Sequence, residues 1–405
     1  MRYQGAVPAT RPLRSHAEYR ERLRGEHLPL AFVDLELLLH NADSLVARSG
    51  GKPIRLASKS IRCRELLRRV LAHHPLFQGV LCFSAGEAAH LAAHDFRDLV
   101  VAYPTVDAHD IAAVCRQLAR GAQICLMVDE PGQLAPLIAA AAEHQVEIAV
   151  AIDLDMSTRV GPIYFGVHRS PVHDVPAALA LADAIARSPG LRLDGLMGYE
   201  AQIAGLQDHA PGQQLKSLAV RALKLRSARE LQARRGAVVR ALRERGHQLR
   251  FVNGGGTGSL ESTAADESVT ELAAGSGLYG PLLFDGYATF APLPAAGFAL
   301  PVVRRPAPGI YTCFGGGWIA SGAAGPDRLP RPYLPASARL IATEGAGEVQ
   351  TPITCDEPLA LGDPVLFRHA KAGELCEHVH ELVLLAPDGH LERAPTYRGD
   401  GFAFV

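Results

Sequence analysis

Apolar and polar positions follow a repeating pattern between residues 55 and 280. A short apolar, β-branched run ends at Gly, Pro or Asp, and a longer segment rich in Ala, Leu and Arg with helical spacing follows it. Continuous apolar runs such as EIAVAID are typical of parallel strands that are buried on both faces. The pattern predicts strands at 55–58, 79–84, 98–103, 123–129, 147–153, 191–199, 249–253 and 272–279.

Strand–helix alternation of this length predicts the fold class. Eight units over about 225 residues are close to the size of a (β/α)8 TIM-type barrel, typically ~250 residues. A doubly wound parallel sheet has the same alternation, and counting strands does not separate the two folds. We expect the barrel.

The pattern changes at both ends of this region. Residues 286–405 are rich in Pro and Gly, with short apolar runs between turns, which indicates a C-terminal β domain. We therefore expect an N-terminal arm at 1–27, the barrel at 28–285 and the β domain at 286–405. An early apolar run, Leu30–Asp34, predicts a further strand that pairs with the C-terminal sheet.

Charge and cysteine content narrow the class of protein. Lys and Arg number 41 against 42 Asp and Glu, for a net charge of −1, which argues against nucleic acid or an anionic membrane as the partner. The seven cysteines form no CxxC pair, so we expect reduced thiols and a cytoplasmic location. The polar, Arg-rich N-terminus lacks the apolar core of a secretory signal.

Candidate reactive residues follow the predicted strands, where the active sites of barrels lie. Lys59 follows the first strand, Arg159 the fifth, Tyr199 and Gln202 the sixth, and Tyr279 closes the eighth. A lysine at the end of an apolar strand is desolvated, which favours its nucleophilic neutral amine and a Schiff base with an aldehyde cofactor. An ordinary solvated lysine, and a structural ion pair for Arg159, are the alternatives.

A glycine-rich segment follows the seventh strand, from Asn253 to Gly258 (NGGGTG). Consecutive glycines allow backbone N–H groups to converge on phosphate oxygens, and barrels often bind phosphate in this loop. The dinucleotide motif GxGxxG fails at Ser259, and no Gly-Lys-Ser/Thr follows. The segment therefore predicts either a phosphate site or a glycine turn without a ligand.

The segment RHAKAGELCEHVHEL in the C-terminal part combines Cys, His and Glu. Such side chains can bind a metal ion, but the spacing matches no standard structural zinc site. We expect a polar strand face rather than a metal centre from the residues alone.

Taken together, these segments resemble a known family. LPLAFVDLELLLHNADSL, RLASKS, AIDLDMSTRVG, GYEAQIAG, FVNGGGTGSLES and VTELAAGSGLYG occur in its order over most of residues 28–285. The family is that of the fold-type III pyridoxal-phosphate enzymes, in the branch of D-threonine aldolase and D-serine dehydratase, whose barrel resembles the N-terminal domain of alanine racemase.

The resemblance implies a function and a site. It implies pyridoxal 5′-phosphate joined to Lys59 as a Schiff base, with Arg159 near the cofactor ring or the substrate. It also implies further cofactor contacts, from Tyr199, Asn253, Gly255, Gly256, Thr257, Gly258 and Tyr279. The expected activity is a lyase reaction on a D-β-hydroxy-α-amino acid, either aldol cleavage or deamination, in a homodimer.

Three positions depart from the family pattern. Gln202 occupies the place of a histidine, which makes it the candidate catalytic residue there. Glu374 and Cys376 stand where the family has a His-x-Cys or His-x-Asp pair, so they are the candidate ligands of a divalent metal, Mn or Zn. The start of the eighth-strand motif, at Glu271, lacks the arginine of alanine racemases, which favours a lyase.

Two other functions remain open from the sequence. An amino-acid racemase would need a second base, for which Tyr311 or Tyr333 is a candidate. A non-catalytic pyridoxal-phosphate carrier is the other alternative, although carriers that resemble this fold are usually single barrels without a domain like 286–405.

Overall fold

The computed structural model describes residues 13–161, 163–209, 212 and 214–404. Over these residues the helices α1 to α10, in chain order, are His16–Arg22, Leu35–Arg48, Arg64–His73, Ala85–Ala92, Ala108–Leu118, Leu134–His144, Val175–Ala186, Ala201–Ala204, Gln214–Glu244 and Leu260–Ala264. The strands β1 to β19 are Leu30–Asp34, Ile54–Ala57, Phe77–Cys82, Leu99–Val101, Ile124–Val128, Ile148–Asp153, Thr158–Val160, Ile163–Phe165, Leu191–Gly198, Phe251–Gly254, Glu271–Ala274, Ala296–Ala307, Ile310–Phe314, Arg331–Leu334, Arg339–Leu340, Gln350–Thr354, Pro364–Arg368, Glu381–Leu385 and Leu391–Pro395.

Eight of these strands form a closed parallel barrel. Their order is β10-β11-β2-β3-β4-β5-β6-β9, and each neighbouring pair is parallel. Because β11 pairs with β2, the sheet has no edge, which excludes the doubly wound alternative and confirms the predicted barrel. A short antiparallel hairpin, β7–β8, lies in the connection after β6.

The barrel interior is filled by side chains from successive strands. Val100, Cys125, Met127, Met197 and Phe251 are each buried in one apolar cluster. These residues come from four different strands, β4, β5, β9 and β10, so the cluster forms only when these strands are assembled in the barrel. The interior is therefore a packed core, and polar chemistry is confined to the ends of the strands.

The chain divides into two compact units. One contains the barrel, with Leu45–Lys59 and Arg69–Gly275. The other combines residues up to Ser44 with Ser60–Arg68 and Ser276–Ala403. The predicted arm at 1–27 lies outside the described residues as far as residue 12, and its remainder includes α1.

The second unit is built on a mixed β sheet. In this sheet β1 pairs antiparallel with β12 and parallel with β18, which confirms the pairing predicted for Leu30–Asp34. Tyr19 of α1 is 1% exposed and packs in a cluster with Phe32 and Val383. The N-terminal helix is thus part of the core of this unit.

The eighth barrel strand was expected at 272–279, but β11 ends at Ala274 and a 3-10 turn follows at Ser276–Leu278. Tyr279 therefore does not belong to a barrel strand. Over the described part of the chain, no helix combines the length and the apolarity that crossing a bilayer requires.

Candidate active site

Lys59 lies at the carboxyl end of a barrel strand, as predicted. It follows β2 directly, in a 3-10 turn at Ser58–Ser60, and its side chain is exposed. Its Nζ donates a hydrogen bond to the Oη of Tyr103 at 3.3 Å. Tyr103 follows β4 by two residues, so both side chains extend from the same rim of the parallel barrel.

Arg169 joins this pair, although sequence reasoning missed it. Its guanidinium lies 4.9 Å from the ring centroid of Tyr103 and 5.9 Å from that of Tyr199. Its Nε donates to Asp153 Oδ2 at 2.5 Å, and its Nη2 donates to the carbonyl oxygen of Ala102 at 2.7 Å. The one available signal was Asp153, a carboxylate at the end of an apolar strand that needs a cationic partner.

The rim residues perturb one another electrostatically. Burial raises the pKa of Asp153 to about 7 and outweighs the attraction of Arg169. Within the described part of the chain, no group hydrogen-bonds the second carboxylate oxygen, Oδ1, which is consistent with a favoured neutral form. Burial opposes ionisation of Tyr103, but the charges of Lys59 and Arg169 prevail and lower its pKa. Burial raises the pKa of Tyr199.

The glycine-rich segment folds into a tight loop after β10. Gly255 has a φ of +86°, a conformation that side chains disfavour. Its N–H donates to Glu200 Oε2 at 2.8 Å, and the N–H of Gly256 donates to Ser259 Oγ at 3.1 Å. A Cβ at Gly256 would come within 3.2 Å of the Tyr199 ring. Tyr199 thus lies between the glycine loop and Arg169.

A buried ion-pair network lies behind this loop. Arg235 of α9 is 1% exposed and pairs with the carboxylate of Glu200, the same group that binds the Gly255 N–H. Its Nη1 also lies 3.2 Å from Asp266 Oδ2. The loop backbone is therefore tied to the outer helix through one carboxylate.

Other predicted site residues of the barrel unit have different surroundings. Arg159 is exposed on the β7–β8 hairpin, and its guanidinium lies 5.9 Å from the ring centroid of Tyr164. Gln202 is 6% exposed and donates to the carbonyl oxygen of Met156 at 2.6 Å. Asn253 donates through its side chain to Glu271 at 2.9 Å. The carbonyl oxygen of Thr257 accepts a bond from Arg48 at 2.7 Å.

The remaining predicted residues belong to the second unit. Tyr279 is fully buried, and its hydroxyl donates to the carbonyl oxygen of Ile61 at 2.7 Å. Cys376 is also buried, which raises the pKa of its thiol, and its Sγ lies 3.3 Å from the same carbonyl oxygen. Glu374 instead accepts a bond from the Ser321 N–H at 2.9 Å.

Potential metal ligands come together elsewhere in the described residues. Carboxylate and imidazole atoms of Asp107, His109 and Asp110 lie within 4.8 Å of one another. Asp107 caps α5 through a bond from the Asp110 N–H at 3.0 Å, so a structural role accounts for this group.

Comparisons with known proteins agree with this architecture. The family model "Alanine racemase, N-terminal domain" matches residues 33–282. D-threonine aldolase of an Arthrobacter species is 30% identical over 242 residues, a match that spans 58% of this chain and 58% of that protein. The crystal structure of D-threonine aldolase from Filomicrobium marinum aligns with a TM-score of 0.77 at 20% identity, covering 93% of this chain and 97% of that one. D-threo-3-hydroxyaspartate dehydratase from Delftia sp. HT23 aligns with a TM-score of 0.74 at 20% identity, covering 92% and 98%.

Proposed function

Because the chain belongs to the family of the alanine racemase N-terminal domain, which matches residues 33–282, we propose that it is a pyridoxal-phosphate-dependent lyase acting on D-β-hydroxy-α-amino acids. The observation that carries this proposal is the position of Lys59 on the rim of the closed barrel. From Lys59, successive contacts through Tyr103, Arg169 and Tyr199 lead to the glycine loop.

The names of the similar proteins support the substrate class. D-threonine aldolase and D-threo-3-hydroxyaspartate dehydratase both act, by name, on D-amino acids with a hydroxyl on the β carbon. Because one name describes aldol cleavage and the other removal of the hydroxyl, they support a lyase without selecting the bond that breaks. The aldolase match covers 58% of that protein, so the activity of the whole chain is an inference.

The residues on the rim suit pyridoxal phosphate. A lysine amine is the group that joins the cofactor aldehyde, and Lys59 extends from the strand end. The left-handed turn at Gly255 and the close approach of Tyr199 to Gly256 make a compact loop that a side chain at Gly256 would obstruct. We assign the phosphate to this loop at Gly255, Gly256, Thr257 and Gly258, with Asn253 and Tyr199 as further candidate contacts.

Within this site the bound cofactor supplies a conjugated ring that accepts electrons from the bond broken at the substrate α carbon. Lys59 would hold the cofactor, and its free amine would carry a proton to or from the substrate α carbon. Arg169 places positive charge beside Tyr103 and Tyr199, where it stabilises negative charge on an anionic ligand. Arg159 is exposed and is the candidate for the substrate carboxylate.

Gln202 is assigned a positioning role. Its amide is buried and bonded to the carbonyl oxygen of Met156 and to Ser227 Oγ at 3.0 Å. Met156 belongs to the segment after β6, which leads into the hairpin with Arg159. Gln202 therefore holds the start of this segment.

The proposed reaction does not use a metal ion. Glu374 and Cys376 remain the ligand candidates from the sequence, but the carboxylate binds the Ser321 N–H while the thiol lies against the Ile61 carbonyl. Each of the two groups therefore has a hydrogen-bond partner of its own in this structure.

Replacement of Lys59 tests the function. Purified wild-type protein should show the visible absorbance of lysine-bound pyridoxal phosphate, and borohydride reduction should fix the label on Lys59. Lys59→Ala should lose the absorbance, the label and turnover, whereas the exposed control Lys216→Ala should keep all three. Retention of the band in Lys59→Ala would reject the assignment.

Product analysis identifies the reaction. Incubation with D-threonine, D-serine and D-3-hydroxyaspartate should give glycine and an aldehyde for an aldolase, or a keto acid and ammonia for a dehydratase. Solvent deuterium on the α carbon of recovered substrate, with neither product formed, would instead identify a racemase. Spectra unchanged by every D-amino acid would indicate a cofactor carrier.

A further inference from the structure

Tyr103 is a side chain on the rim that the function described so far leaves without a role. It is 42% exposed although it is aromatic, and its hydroxyl is the acceptor for the Lys59 ammonium at 3.3 Å. The Lys59 Nζ also lies 5.7 Å from the centroid of the Tyr103 ring. The hydroxyl is therefore a neighbouring group through which a proton can leave the lysine nitrogen in one step.

Charged groups on several elements surround Tyr103. Lys59 approaches from the turn after β2 and Arg169 from the loop after β8. Tyr199, at the end of β9, is the other titratable group that interacts with it. Since the two cations prevail over burial, the pKa of Tyr103 is lowered, and its phenolate is easier to form than that of an ordinary tyrosine.

Arg169 is held firmly in the place from which it acts on Tyr103. Its Nε binds Asp153 and its Nη2 binds the carbonyl oxygen of Ala102, the residue that precedes Tyr103. The Arg169 guanidinium therefore contacts both the backbone of Ala102 and the ring of Tyr103, which directly follow β4. Such fixation keeps the positive charge over the phenol when other groups on the rim move.

We propose that Tyr103 is a catalytic residue that exchanges a proton with the amine of Lys59, and that Arg169 is the residue that positions and polarises it. In the forward step an N–H bond of the Lys59 ammonium breaks and an O–H bond forms on the Tyr103 phenolate. The electron pair of the N–H bond stays on nitrogen, which becomes the neutral nucleophile. The reverse transfer restores the ammonium, so no further reactant is needed.

This inference rests on the proposed function for its purpose, since the nucleophilic amine is what captures the cofactor aldehyde. The inference adds Tyr103 as the group that removes a proton from the Lys59 ammonium. Lysine without such a neighbour releases its proton to water or buffer, and its capture rate then depends on buffer concentration.

The first experiment measures capture of the cofactor rather than turnover. Cofactor-free protein is mixed with pyridoxal 5′-phosphate, and attachment is followed by absorbance, with borohydride trapping and peptide mapping at Lys59. Tyr103→Phe should slow capture about 100-fold near neutral pH while reaching full occupancy, because the phenol affects the rate and not the bond formed. Tyr164→Phe removes a hydroxyl that donates to the Val167 carbonyl oxygen, and it should capture at the wild-type rate.

The second experiment measures ionisation directly. Tyrosinate absorbance of cofactor-free wild type minus Tyr103→Phe should show one group that titrates below the ordinary pKa of 10.0. Arg169→Gln should move that midpoint upward by removing a cation. If the Tyr103 ring had only a structural role, Tyr103→Phe would capture the cofactor at the wild-type rate in the first experiment.

Each outcome decides between the two proposals. Equal capture rates for wild type and Tyr103→Phe, or a Tyr103 midpoint at or above 10.0, would overturn the inference. If wild type takes up no pyridoxal phosphate, the proposed function fails. The proton exchange is then judged by acetylation of Lys59 with acetic anhydride, which Tyr103→Phe should slow and Tyr164→Phe should not.

Discussion

At the scale of single residues, the site depends on a carboxyl group buried at a strand end. Asp153 is 0% exposed and holds Arg169 through one oxygen, while its other oxygen has no hydrogen-bond partner among the residues that the structure describes. The cation lowers the cost of burying the carboxylate but does not remove it. This balance fixes Arg169 beside Tyr103 and gives Asp153 a measurable pH signature.

Replacement of Asp153 should change how stability depends on pH. The folded-state pKa of about 7 exceeds the unfolded value of roughly 3.9, so the folded protein binds the extra proton between these values. The contribution of protonated Asp153 to the free energy of unfolding is fully present below pH ~4 and is lost as the pH rises through about 7. We therefore expect the free energy of unfolding of wild type to fall relative to Asp153→Asn across this window, as measured by urea denaturation.

The exposed Asp95 supplies the control for this experiment. Asp95 has a positive φ of 65°, which asparagine tolerates, so Asp95→Asn should leave the pH dependence of wild type intact. Parallel stability curves for wild type and Asp153→Asn from pH 4 to 7 would contradict the buried, proton-binding carboxyl.

At the scale of elements, α9 supports two of the site loops through consecutive arginines. Arg234 donates to the carbonyl oxygens of Asp155 at 2.9 Å and Ser157 at 2.8 Å, in the segment after β6. Arg235 pairs with Glu200, which holds the glycine loop. The helix thus sets the backbone of both loops without a side chain in the site.

Removal of Arg235 should lower the free energy of unfolding because two buried carboxylates lose their positively charged partner. Arg235→Met leaves Glu200 and Asp266 without their cation, and loss of one partner from a buried pair destabilises by about 3–5 kcal/mol. We expect a matching decrease in the urea midpoint together with weaker pyridoxal-phosphate binding. Arg235→Lys should recover part of the stability, since it keeps the charge but loses the planar fork.

Arg240 on the same helix provides the matched control. It is exposed, so Arg240→Met should change stability by less than about 0.5 kcal/mol and leave cofactor affinity unchanged. Equal stability of Arg235→Met and Arg240→Met would show that the network behind the loop is not structural.

At the scale of the whole molecule, one end of the barrel carries the candidate site and the opposite end carries an ion-pair network that stabilises the fold. Arg55, 1% exposed, pairs with Glu271 at 2.7 Å and with Asp98 at 2.9 Å. These groups lie at the beginnings of their strands, opposite the rim with Lys59. Asp98 also binds Arg250 at 2.7 Å, so it connects a buried and an exposed arginine.

Asp98→Asn should therefore lower stability without affecting cofactor capture. Burial opposes ionisation of Asp98, but Arg55 and Arg250 prevail and lower its pKa. The stabilisation from ionised Asp98 is accordingly present above its unfolded pKa of ~3.9. It is lost as the pH falls through its lower pKa in the folded protein. We expect a loss of about 1–3 kcal/mol at neutral pH, shrinking in acid, with an unchanged rate of pyridoxal-phosphate attachment.

The control is Arg250, which also pairs at 2.8 Å with Asp194, a carboxylate that keeps Arg192 at 2.6 Å as a second partner. Arg250 is 46% exposed in its side chain, so Arg250→Gln should cost less than Asp98→Asn, which leaves Arg55 buried with one fewer partner. Slowed cofactor attachment in Asp98→Asn would mean that the two ends of the barrel are coupled.

The sequence by itself determined the alternation of strands and helices because local periodicity records burial, whereas closure of the sheet was decided by the pairing of β11 with β2. Strands buried on both faces appear as continuous apolar runs, and the closed barrel and the pairing of Leu30–Asp34 were both predicted from such runs. It also placed Lys59 and the glycine segment, since both follow strands in which few polar residues occur.

Only the tertiary structure decided which side chains surround Lys59. Tyr103 and Arg169 are 44 and 110 positions away from it, and neither stands in a recognisable motif. Closure of the barrel brings Tyr103 and Arg169 to the rim that carries Lys59. Arg159 and Gln202 lie within the family motifs, but Arg159 is on a hairpin and Gln202 binds a buried carbonyl oxygen. Sequence spacing carries no information about such contacts, because the direction of a side chain at a strand end depends on how the following loop packs.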